Sequence, residues 1–454
     1  MIKNIKWNNY KSLQNLDLDF TKPDGSIYNT IVLAGENGSG KTTILESIAE
    51  FLNAGSIEPF KSIDYSVNNN SYTIKPLENN KNANIGFHLR KNNTTGEETG
   101  IYTSKNNSPE IFKNDTEDIR YYGVTYSKAR SGFRTNKVES VKNNQLDIEK
   151  YQIDENEDFT SIKQLIVDVD AQDNAAWMEE TELNIGTSFS DFKQKSSMFR
   201  FRNAFNTFFD TIQFDKVDNK NPDEKKILFK KFGHKISVDD LSTGEKQIVF
   251  RGAYLLKNIK GINGGIVLID EPELSMHPLW QKKIFDYYKN LFIENGVQIV
   301  QIIIATHSEY VLQSAIKDKN DTLLIALRNE NGIIKYDKVD APVVLPVLTY
   351  AETNYLAFNV YSVDFHIALY GYLQTLINKC YISDCDNYIL NNSLYNPSTH
   401  GKPSFHGKTQ YNTLCTYIRN AIDHPDSGNT YTEQELETST KLLIEICKSL
   451  KSNP

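Results

Sequence analysis

The spacing of apolar residues over the first 340 positions predicts a sheet of strands with helices packed against it. Residues 2–20 alternate apolar and polar side chains, which is the period of a strand or hairpin. Residues 30–33 form a short apolar run, typical of a strand buried on both faces, and residues 44–52 have the spacing of a helix. Apolar runs at 265–269 and 297–305 predict further buried strands. This order of elements indicates an α/β fold.

The other segments differ in pattern. Residues 53–107 are rich in Asn, Ser and Lys, which predicts surface hairpins and loops. Residues 147–215 are mostly helical in pattern, and residues 227–241 return to strand character. From residue 351 onward the apolar spacing is helical almost throughout, which predicts an all-α segment.

A glycine-rich loop joins the predicted strand 30–33 to the helix that follows. It matches G-x-x-x-x-G-K-[ST], in the strand–loop–helix context that this pattern requires. The backbone N–H groups of such a loop wrap phosphates, and the dipole of the following helix favours anions. We therefore predict that ATP binds here, with Lys41 at the β- and γ-phosphates and the Thr42 hydroxyl on Mg²⁺. The residues assigned to the nucleotide are Gly35, Asn37, Gly38, Ser39, Gly40, Lys41, Thr42 and Thr43.

Two carboxylates and a histidine follow the later buried strands. Asp270 and Glu271 end the first of these runs; Asp270 would hold Mg²⁺ through water, and Glu271 would polarise the attacking water. An acidic pair in this position can also be a solvated strand end, and a lone histidine is more often structural. His307, just past the second run, is nevertheless a candidate for contact with the γ-phosphate.

The segment Leu-Ser-Thr-Gly-Glu at 241–245 precedes a predicted helix. Ser242 and Glu245 have the spacing of a capping box, which by itself would be only a helix start. A capped helix N-terminus is also an anion site, so both readings can hold together. Ser242, Gly244 and Glu245 are accordingly assigned to the nucleotide as well.

These motifs, in this order, resemble those of ABC-type ATPases, and the strand at 2–20 ahead of the glycine loop resembles the RecF/SMC branch. The resemblance implies that Ser242 and Gly244 of one protomer bind the γ-phosphate held by the glycine loop of another, which makes a homodimer through the ATPase heads. It covers roughly residues 1–340. A Q-loop glutamine, which the family places near residues 126–131, is missing from this chain.

Composition excludes several classes of protein. The net charge of −8 argues against a protein that is basic all over, although a local basic site acts through its own field. The four cysteines form no Cys-x-x-Cys pair, which excludes a zinc hook and suits a reducing cytoplasm. The longest apolar run is too short to cross a bilayer, so we expect a cytoplasmic protein without a membrane partner.

The last third contains an acid-free stretch. No Asp or Glu occurs between residues 387 and 422, whereas basic and aromatic residues alternate there. A positive field with aromatic faces suits RNA, and the alternative is an acid-poor, Asn-rich loop. The basic residues are His400, Lys402, His406, Lys408 and Arg419.

Within this stretch, Arg419-Asn420-x-x-x-His424 resembles the motif of HEPN ribonucleases. The resemblance implies a paired, metal-independent site in which His424 moves protons, Arg419 stabilises charge and Asn420 positions the phosphate. The alternative is an ordinary structural helix in which Arg419 forms an ion pair with Asp423. Asp384 and Asp386 could instead suggest an OLD-type acidic nuclease, but the preceding segment is helical in pattern and lacks the βαβ scaffold that such a site needs.

The sequence therefore predicts an α/β ABC-type P-loop ATPase head with an internal, largely helical insertion and a C-terminal all-α HEPN-like bundle. The expected segments are 1–110, 111–235, 236–340 and 341–454. The expected function is an ATP-gated endoribonuclease in anti-phage defence, with tRNA or another structured RNA as substrate. The alternatives are an ATPase that regulates a separate nuclease, as in Septu systems, and a RecF-like DNA-repair ATPase. A separate nuclease or inhibitor subunit remains an expected partner.

Overall fold

The computed structural model describes residues 1–77, 86–102, 114–130, 132–154, 158–183, 186, 188–221, 223–318, 320–406 and 409–452. The chain forms two compact units, Met1–Tyr336 and Asp337–Pro454. Across these described residues, each helix is either too short or too polar to span a lipid bilayer.

The first unit contains the predicted strands and most of the predicted helices. Its strands are β1 (Ile2–Trp7), β2 (Asp17–Asp19), β3 (Thr30–Gly35), β4 (Phe60–Val67), β5 (Asn70–Pro76), β6 (His88–Asn92), β7 (Glu98–Ile101), β8 (Val124–Ser127), β9 (Tyr151–Ile153), β10 (Ile212–Asp218), β11 (Lys226–Lys231), β12 (His234–Ser237), β13 (Ile266–Asp270), β14 (Ile293–Glu294), β15 (Val297–Gln298), β16 (Gln301–Thr306), β17 (Thr322–Glu330) and β18 (Ile333–Lys338). Its helices are α1 (Lys41–Leu52), α2 (Thr160–Glu182), α3 (Phe189–Lys195), α4 (Met198–Phe208), α5 (Thr243–Lys246), α6 (Gly252–Leu256), α7 (Pro278–Asn290) and α8 (Glu309–Lys317).

A seven-stranded sheet positions the candidate site. Its order is β18-β17-β3-β16-β13-β8-β9, and the run from β17 to β9 is parallel. Every residue of β3, β13 and β16 is buried, as expected for parallel strands covered on both faces. The runs 30–33 and 265–269 are the buried strands β3 and β13 that the sequence predicts. In the run 297–305 the buried strand β16 begins at Gln301, whereas Val297–Gln298 is β15 of a separate two-stranded sheet. Together β3, β13 and β16 support a P-loop ATPase fold.

The segment predicted as surface hairpins and loops does form antiparallel hairpins, but they belong to a second sheet with one buried face. β4 to β7 extend the hairpin of β1 and β2 into six antiparallel strands in the order β2-β1-β4-β5-β6-β7. Alternate residues such as Ile63, Tyr65, Tyr72 and Ile74 are buried, and their alternation was obscured by the Asn-rich composition around them. The indole Nε1 of Trp7 donates to Ser47 Oγ at 3.1 Å, which joins this sheet to α1.

The predicted helical insertion contains α2, α3 and α4, followed by the antiparallel sheet β10-β11-β12. Within α4, Phe201, Phe205 and Phe208 are buried, whereas Phe199 is 37% exposed, and Met198 takes the buried position one residue earlier. Strands β8 and β9 also come from residues 111–235 but belong to the seven-stranded sheet.

The second unit is not all-α. Its helices are α9 (Tyr350–Phe358), α10 (Val363–Leu376), α11 (Ile382–Leu390), α12 (Pro397–His400), α13 (Leu414–Asp423) and α14 (Glu433–Ser452). A hairpin of β19 (Gly401–His406) and β20 (Thr409–Thr413) lies between α12 and α13, which corrects the prediction of an all-α bundle. The aromatic and β-branched residues of this segment favour strands, and a period-two pattern over so few residues is weak against helical surroundings.

A buried ion pair lies ahead of β8. Arg120 Nη2 donates to Asp118 Oδ2 at 2.7 Å, and Arg120 Nε donates to both carboxylate oxygens at 3.1 Å; both side chains are fully buried. Burial alone would raise the pKa of Asp118, but the charge and hydrogen bonds of Arg120 outweigh it and hold that pKa at about 2. The stabilisation from this pair is therefore present above the ordinary carboxyl range and is lost as the pH falls towards 2.

We expect Arg120→Met to lower the free energy of unfolding of the chain by about 3–5 kcal/mol, because it leaves the Asp118 carboxylate buried without its partner. The exposed pair of Lys6 and Asp17 provides the control, and Lys6→Met should cost at most about 1 kcal/mol. Urea unfolding of the three proteins measures both values. Equal, small losses for the two variants would contradict the assignment.

Candidate functional site

The candidate residues meet at one edge of the seven-stranded sheet. In the parallel register, Asp270 on β13 lies beside Ala305 on β16, and Thr306 lies beside Ala34 on β3. The glycine loop, Glu271 and His307 follow these positions directly along the chain. Because parallel strands bring their carboxyl ends to one edge, residues from three distant parts of the sequence converge there, where open α/β sheets bind ligands.

The glycine loop wraps around the Lys41 ammonium group. Lys41 Nζ donates to Gly35 O at 2.8 Å, Glu36 O at 3.0 Å and Ser39 Oγ at 3.2 Å. Burial lowers the pKa of Lys41 to about 8, against the opposing charges of Asp270 and Glu271.

Two glycines allow the shape of this loop. Gly38 and Gly40 have φ angles of 77° and 87°, in the left-handed region that favours glycine. A Cβ on Gly40 would also lie 2.7 Å from the Leu13 side chain. Asn37 is exposed, Thr43 is half-buried in the first turn of α1, and both stay in the predicted nucleotide set.

The predicted metal ligands contact each other. Thr42 Oγ1 donates to Asp270 Oδ2 at 2.9 Å. Asp270 is 2% exposed, and within the described residues its Oδ1 has no hydrogen-bond partner. Burial raises the pKa of Asp270 to about 6, although the Thr42 bond and the charges of Arg251 and Lys41 act against it, so a further cation would stabilise the ionised carboxylate. Hard oxygen donors that need a positive charge beside them fit Mg²⁺. When bound, the ion would neutralise charge on the phosphates.

Glu271 and His307 form the second contact of the site. His307 Nε2 lies 3.3 Å from Glu271 Oε1, and this hydrogen bond lowers the pKa of the Glu271 carboxyl. Glu271 has a φ of 44°, and its amide donates to Ala305 O at 2.9 Å. An unprotonated, half-buried carboxylate beside the metal ligands has the chemistry of a group that orients and polarises water.

Sequence reasoning missed Glu273, which holds the histidine loop in place. Glu273 Oε1 accepts hydrogen bonds from Thr306 Oγ1 at 2.8 Å and from His307 N at 2.7 Å. Ser308 Oγ in turn donates to Gln281 Oε1 at 2.7 Å. The only available signal was that Glu273 lies in the same loop as Asp270 and Glu271.

The Leu-Ser-Thr-Gly-Glu segment forms the capping box that its spacing predicts. Ser242 N donates to Glu245 Oε2 at 2.8 Å, and Ser242 Oγ accepts from Glu245 N at 3.4 Å. Burial raises the pKa of Glu245, but the ion pair with Lys231 at 2.7 Å and the bonds to Ser242 leave it below its usual value. A Cβ on Gly244 would lie 2.8 Å from Ser275 O, so this position requires glycine.

The Arg-Asn-x-x-x-His residues lie at the end of α13. Arg419 Nη2 pairs with Asp423 Oδ2 at 2.6 Å, and Arg419 Nη1 donates to Asn420 Oδ1 at 3.0 Å. The helix ends at Asp423, and the amide of His424 donates to Asn420 O at 2.9 Å. The helix thus stops two residues before Pro425, and Arg419 is held by the ion pair that an ordinary structural helix would also contain.

The acid-free stretch does not form an acid-free surface. Lys402 Nζ contacts Glu435 Oε1 on α14 at 2.5 Å and lies 4.2 Å from the centre of the Tyr417 ring. Arg419 is paired with Asp423, so acidic residues just outside the stretch neutralise two of its charges. Lys408 and the side chain of His406 lie outside the described residues. Glu435 lies on a neighbouring helix, so a count of acidic residues along 387–422 does not include it.

Asp386, considered above as part of an acidic nuclease site, has a structural role. Its Oδ1 accepts from Thr413 Oγ1 at 2.6 Å and from Thr413 N at 3.1 Å, and its Oδ2 accepts from Asn412 N at 2.8 Å. The buried carboxylate therefore fixes the end of β20 to α11. This use of both oxygens supports the choice against an acidic nuclease.

Comparison with known proteins places this site in context. A family model described as "AAA domain, putative AbiEii toxin, Type IV TA system" matches residues 31–313. The chain is 22% identical over 389 residues to "Retron Vc95 probable ATPase" of Vibrio cholerae serotype O1 biovar El Tor, covering 70% of this chain and 72% of that protein. It is 23% identical over 345 residues to "Septu protein PtuA" of Bacillus mycoides (strain KBAB4), covering 71% of this chain but 40% of the relative. A solved SMC head bound to the C-winged helix domain of ScpA is similar with a TM-score of 0.42 and 15% identity, covering 74% of this chain and 98% of that one.

We expect His307→Ala to move the acid limb of the pH profile for ATP hydrolysis to higher pH. The substitution removes the hydrogen bond that lowers the pKa of Glu271, so the carboxylate is protonated at a higher pH. Initial rates of phosphate release across the acid and neutral range measure the shift. His277→Ala, which changes a histidine that caps α7, should keep the wild-type acid limb; an unshifted profile for His307→Ala would contradict the role given to this contact.

Proposed function

The chain belongs to the AAA-domain family matched over residues 31–313, and from this premise we propose that it is the ATPase of an anti-phage defence system, paired with a second copy through its nucleotide sites. ATP with Mg²⁺ is the cofactor, and hydrolysis controls an effector in the same system. This gives the ATPase role more weight than the ribonuclease role predicted from the sequence.

One observation carries the ATPase assignment: the convergence of two contacts at the sheet edge. The Thr42–Asp270 bond of 2.9 Å unites the two Mg²⁺ ligands, and the His307–Glu271 contact of 3.3 Å sets the water-polarising carboxylate beside them. Lys41 and the loop amides hold the phosphates, Asp270 and Thr42 hold the metal, and Glu271 takes the proton from the attacking water.

Pairing is supported by the location of Ser242 and Gly244. Ser242 bonds to Glu245, Glu245 pairs with Lys231, and Gly244 lies against Ser275 O, so the contacts of this segment are made outside the glycine loop. The capped start of α5 offers backbone N–H groups that favour an anion, and a second copy can present it to a γ-phosphate. The resemblance to ABC-type ATPases implies the same arrangement.

The place in defence is supported by the named relatives. A retron ATPase and a Septu protein are both similar over about 70% of this chain, and the family description names a toxin. A separate nuclease or an inhibitor subunit is the partner that such a system needs. A DNA-repair ATPase of the RecF type is the rival, and DNA-stimulated hydrolysis would distinguish it.

We expect mixed variants to restore activity that each lacks alone. Lys41→Met disables the glycine loop, and Ser242→Arg disables the capped helix start that completes the partner's site. In an equal mixture, each mixed pair contains one intact composite site, so about a quarter of wild-type ATP hydrolysis should return. Phosphate release by the two variants alone and combined measures this recovery.

A mixture as inactive as its components would contradict composite sites. Two controls accompany this mixture. One is an equal mixture of either variant with wild type, and the other is the double variant Lys41→Met/Ser242→Arg, whose pairs contain no intact composite site. Stimulation of the wild type by duplex DNA, with no effect of the variants on phage plating, would favour the repair role.

A second candidate function, RNA cleavage by the second unit, is favoured by a buried amide. Asn420 is 4% exposed, and among the described residues its Nδ2 has no hydrogen-bond acceptor. This donor lies beside the guanidinium of Arg419 and one helical turn from His424, a set that suits a phosphate and a proton carrier. In this mechanism, which uses no metal, the ribose 2′-OH gives up its proton and attacks its own 3′-phosphate, the bond from phosphorus to the 5′-oxygen of the next nucleotide breaks, that oxygen takes a proton, and a 2′,3′-cyclic phosphate is left.

We expect Arg419→Ala and His424→Ala to abolish cleavage of total tRNA while leaving ATP hydrolysis unchanged. Lys441→Ala is the matched control, because it breaks an ion pair of the same i, i+4 spacing with Glu437 on α14. Gel analysis of tRNA incubated with each protein, with and without ATP, decides the point. An inert wild type, or cleavage that survives both changes, would remove this candidate and leave the ATPase role standing.

A further inference from the structure

Arg251 ends a wide helical turn that follows the capped segment. α5 continues into a π-helical turn, Gln247–Arg251, and then into α6, so Ser242 and Arg251 belong to one continuous helical element. π-helical turns are rare, occur mostly as single turns inside α-helices, and are frequent at functional sites. Here the turn aims Arg251, which is 2% exposed, at the ends of two central strands.

The guanidinium of Arg251 binds main-chain oxygens on both strands. Its Nε donates to Ser127 Oγ at 2.6 Å, and its Nη2 donates to Ser127 O at 2.9 Å and to Lys128 O at 3.2 Å, all at the end of β8. The same Nη2 also donates to Asp270 O, and Nη1 donates to Glu271 O at 3.1 Å. One side chain therefore connects the capped helix to β8 and to the main chain of Asp270 and Glu271.

The main chain of Glu271 needs such support. Its φ of 44° lies in the left-handed region, which a residue with a side chain occupies at a cost of about 1–3 kcal/mol. Three hydrogen bonds hold it there: its amide donates to Ala305 O at 2.9 Å, and its carbonyl accepts from Leu274 N at 3.3 Å and from Arg251 Nη1 at 3.1 Å. Removal of the Arg251 bond leaves the carbonyl with the longer Leu274 bond, which weakens the hold on the peptide that carries the carboxylate beside His307.

The charge of Arg251 also matters at the site. The acceptors named above are neutral oxygens, and the guanidinium remains a positive charge beside Asp270 and Glu271. A lysine would keep the charge but not the planar fork that reaches several carbonyls at once. Arg251→Lys therefore separates geometry from charge.

We propose that Arg251 is a positioning residue for ATP hydrolysis, which fixes the Glu271 carboxylate through its main chain and ties it to the helix that begins at Ser242. The inference rests on the proposed ATPase function. It implies that phosphate binding and hydrolysis are coupled: the helical element that would bind a phosphate at its start also carries Arg251, which holds Glu271.

The test compares wild type, Arg251→Lys, Glu271→Gln and the double variant. Arg251→Lys should bind a fluorescent ATP analogue within about twofold of wild type, whereas kcat falls by about tenfold or more, since a small misplacement of a catalytic group is costly. In the double variant, kcat should equal that of Glu271→Gln alone, because Arg251 acts only through Glu271. A merely structural role would lower binding and thermal stability and add its loss to that of Glu271→Gln.

Arg200→Lys is the matched control, since Arg200 also donates to a helix carbonyl, Leu256 O, at 3.0 Å while lying outside the site. It should keep the wild-type kcat. If Arg251→Lys does not fold, Ser127→Ala replaces it: loss of the Nε bond should lower kcat with ATP binding retained.

Wild-type kcat in Arg251→Lys, or in Ser127→Ala where the lysine variant is unfolded, overturns the inference, as does an additive loss in the double variant. A wild-type chain that binds ATP without hydrolysing it overturns the proposed function as well.

Discussion

Parallel pairing of β3, β16 and β13 is the constraint on which the site depends. The register places Leu33, Ala305 and Asp270 level near one edge, so the residues that follow each strand must meet. The strands are buried on both faces, so a one-residue slip would move every side chain into the packed layer on the opposite face, and close packing there opposes it. Glycine loop, metal carboxylate and histidine are therefore brought together by the hydrophobic core and not by their own attraction.

Electrostatics then set the properties of the site within that frame. Burial raises the pKa of Asp270 and lowers that of Lys41, so each group carries a cost that a nucleotide and its cation would relieve. The pKa of Glu271 is lowered instead, because the hydrogen bond to His307 and the charge of Arg251 favour its ionised carboxyl. The backbone strain at Glu271 is held by the same helical element that starts at Ser242, which provides a physical link between phosphate recognition and hydrolysis.

The sequence predicted the parts of the fold in which local pattern and burial agree. The apolar runs of β3, β13 and β16 and the capping box of Ser242 and Glu245 lie where expected. It failed where composition hid alternation, as in β4 to β7, and where a short hairpin interrupts helices, as in β19 and β20. Contacts made by tertiary packing were out of reach: Glu435 beside Lys402, and Arg251 on the strand ends, have no local sequence signal.

The central claim is that ATP joins two copies, the glycine loop of each being completed by Ser242 and Gly244 of the other. Sedimentation of Glu271→Gln with ATP and Mg²⁺ tests it most directly, because the variant binds the nucleotide but hydrolyses it slowly. The account predicts that ATP increases the sedimenting mass from one copy to two, and that adding Ser242→Arg to the same chain prevents the increase. An unchanged mass at saturating ATP would contradict it.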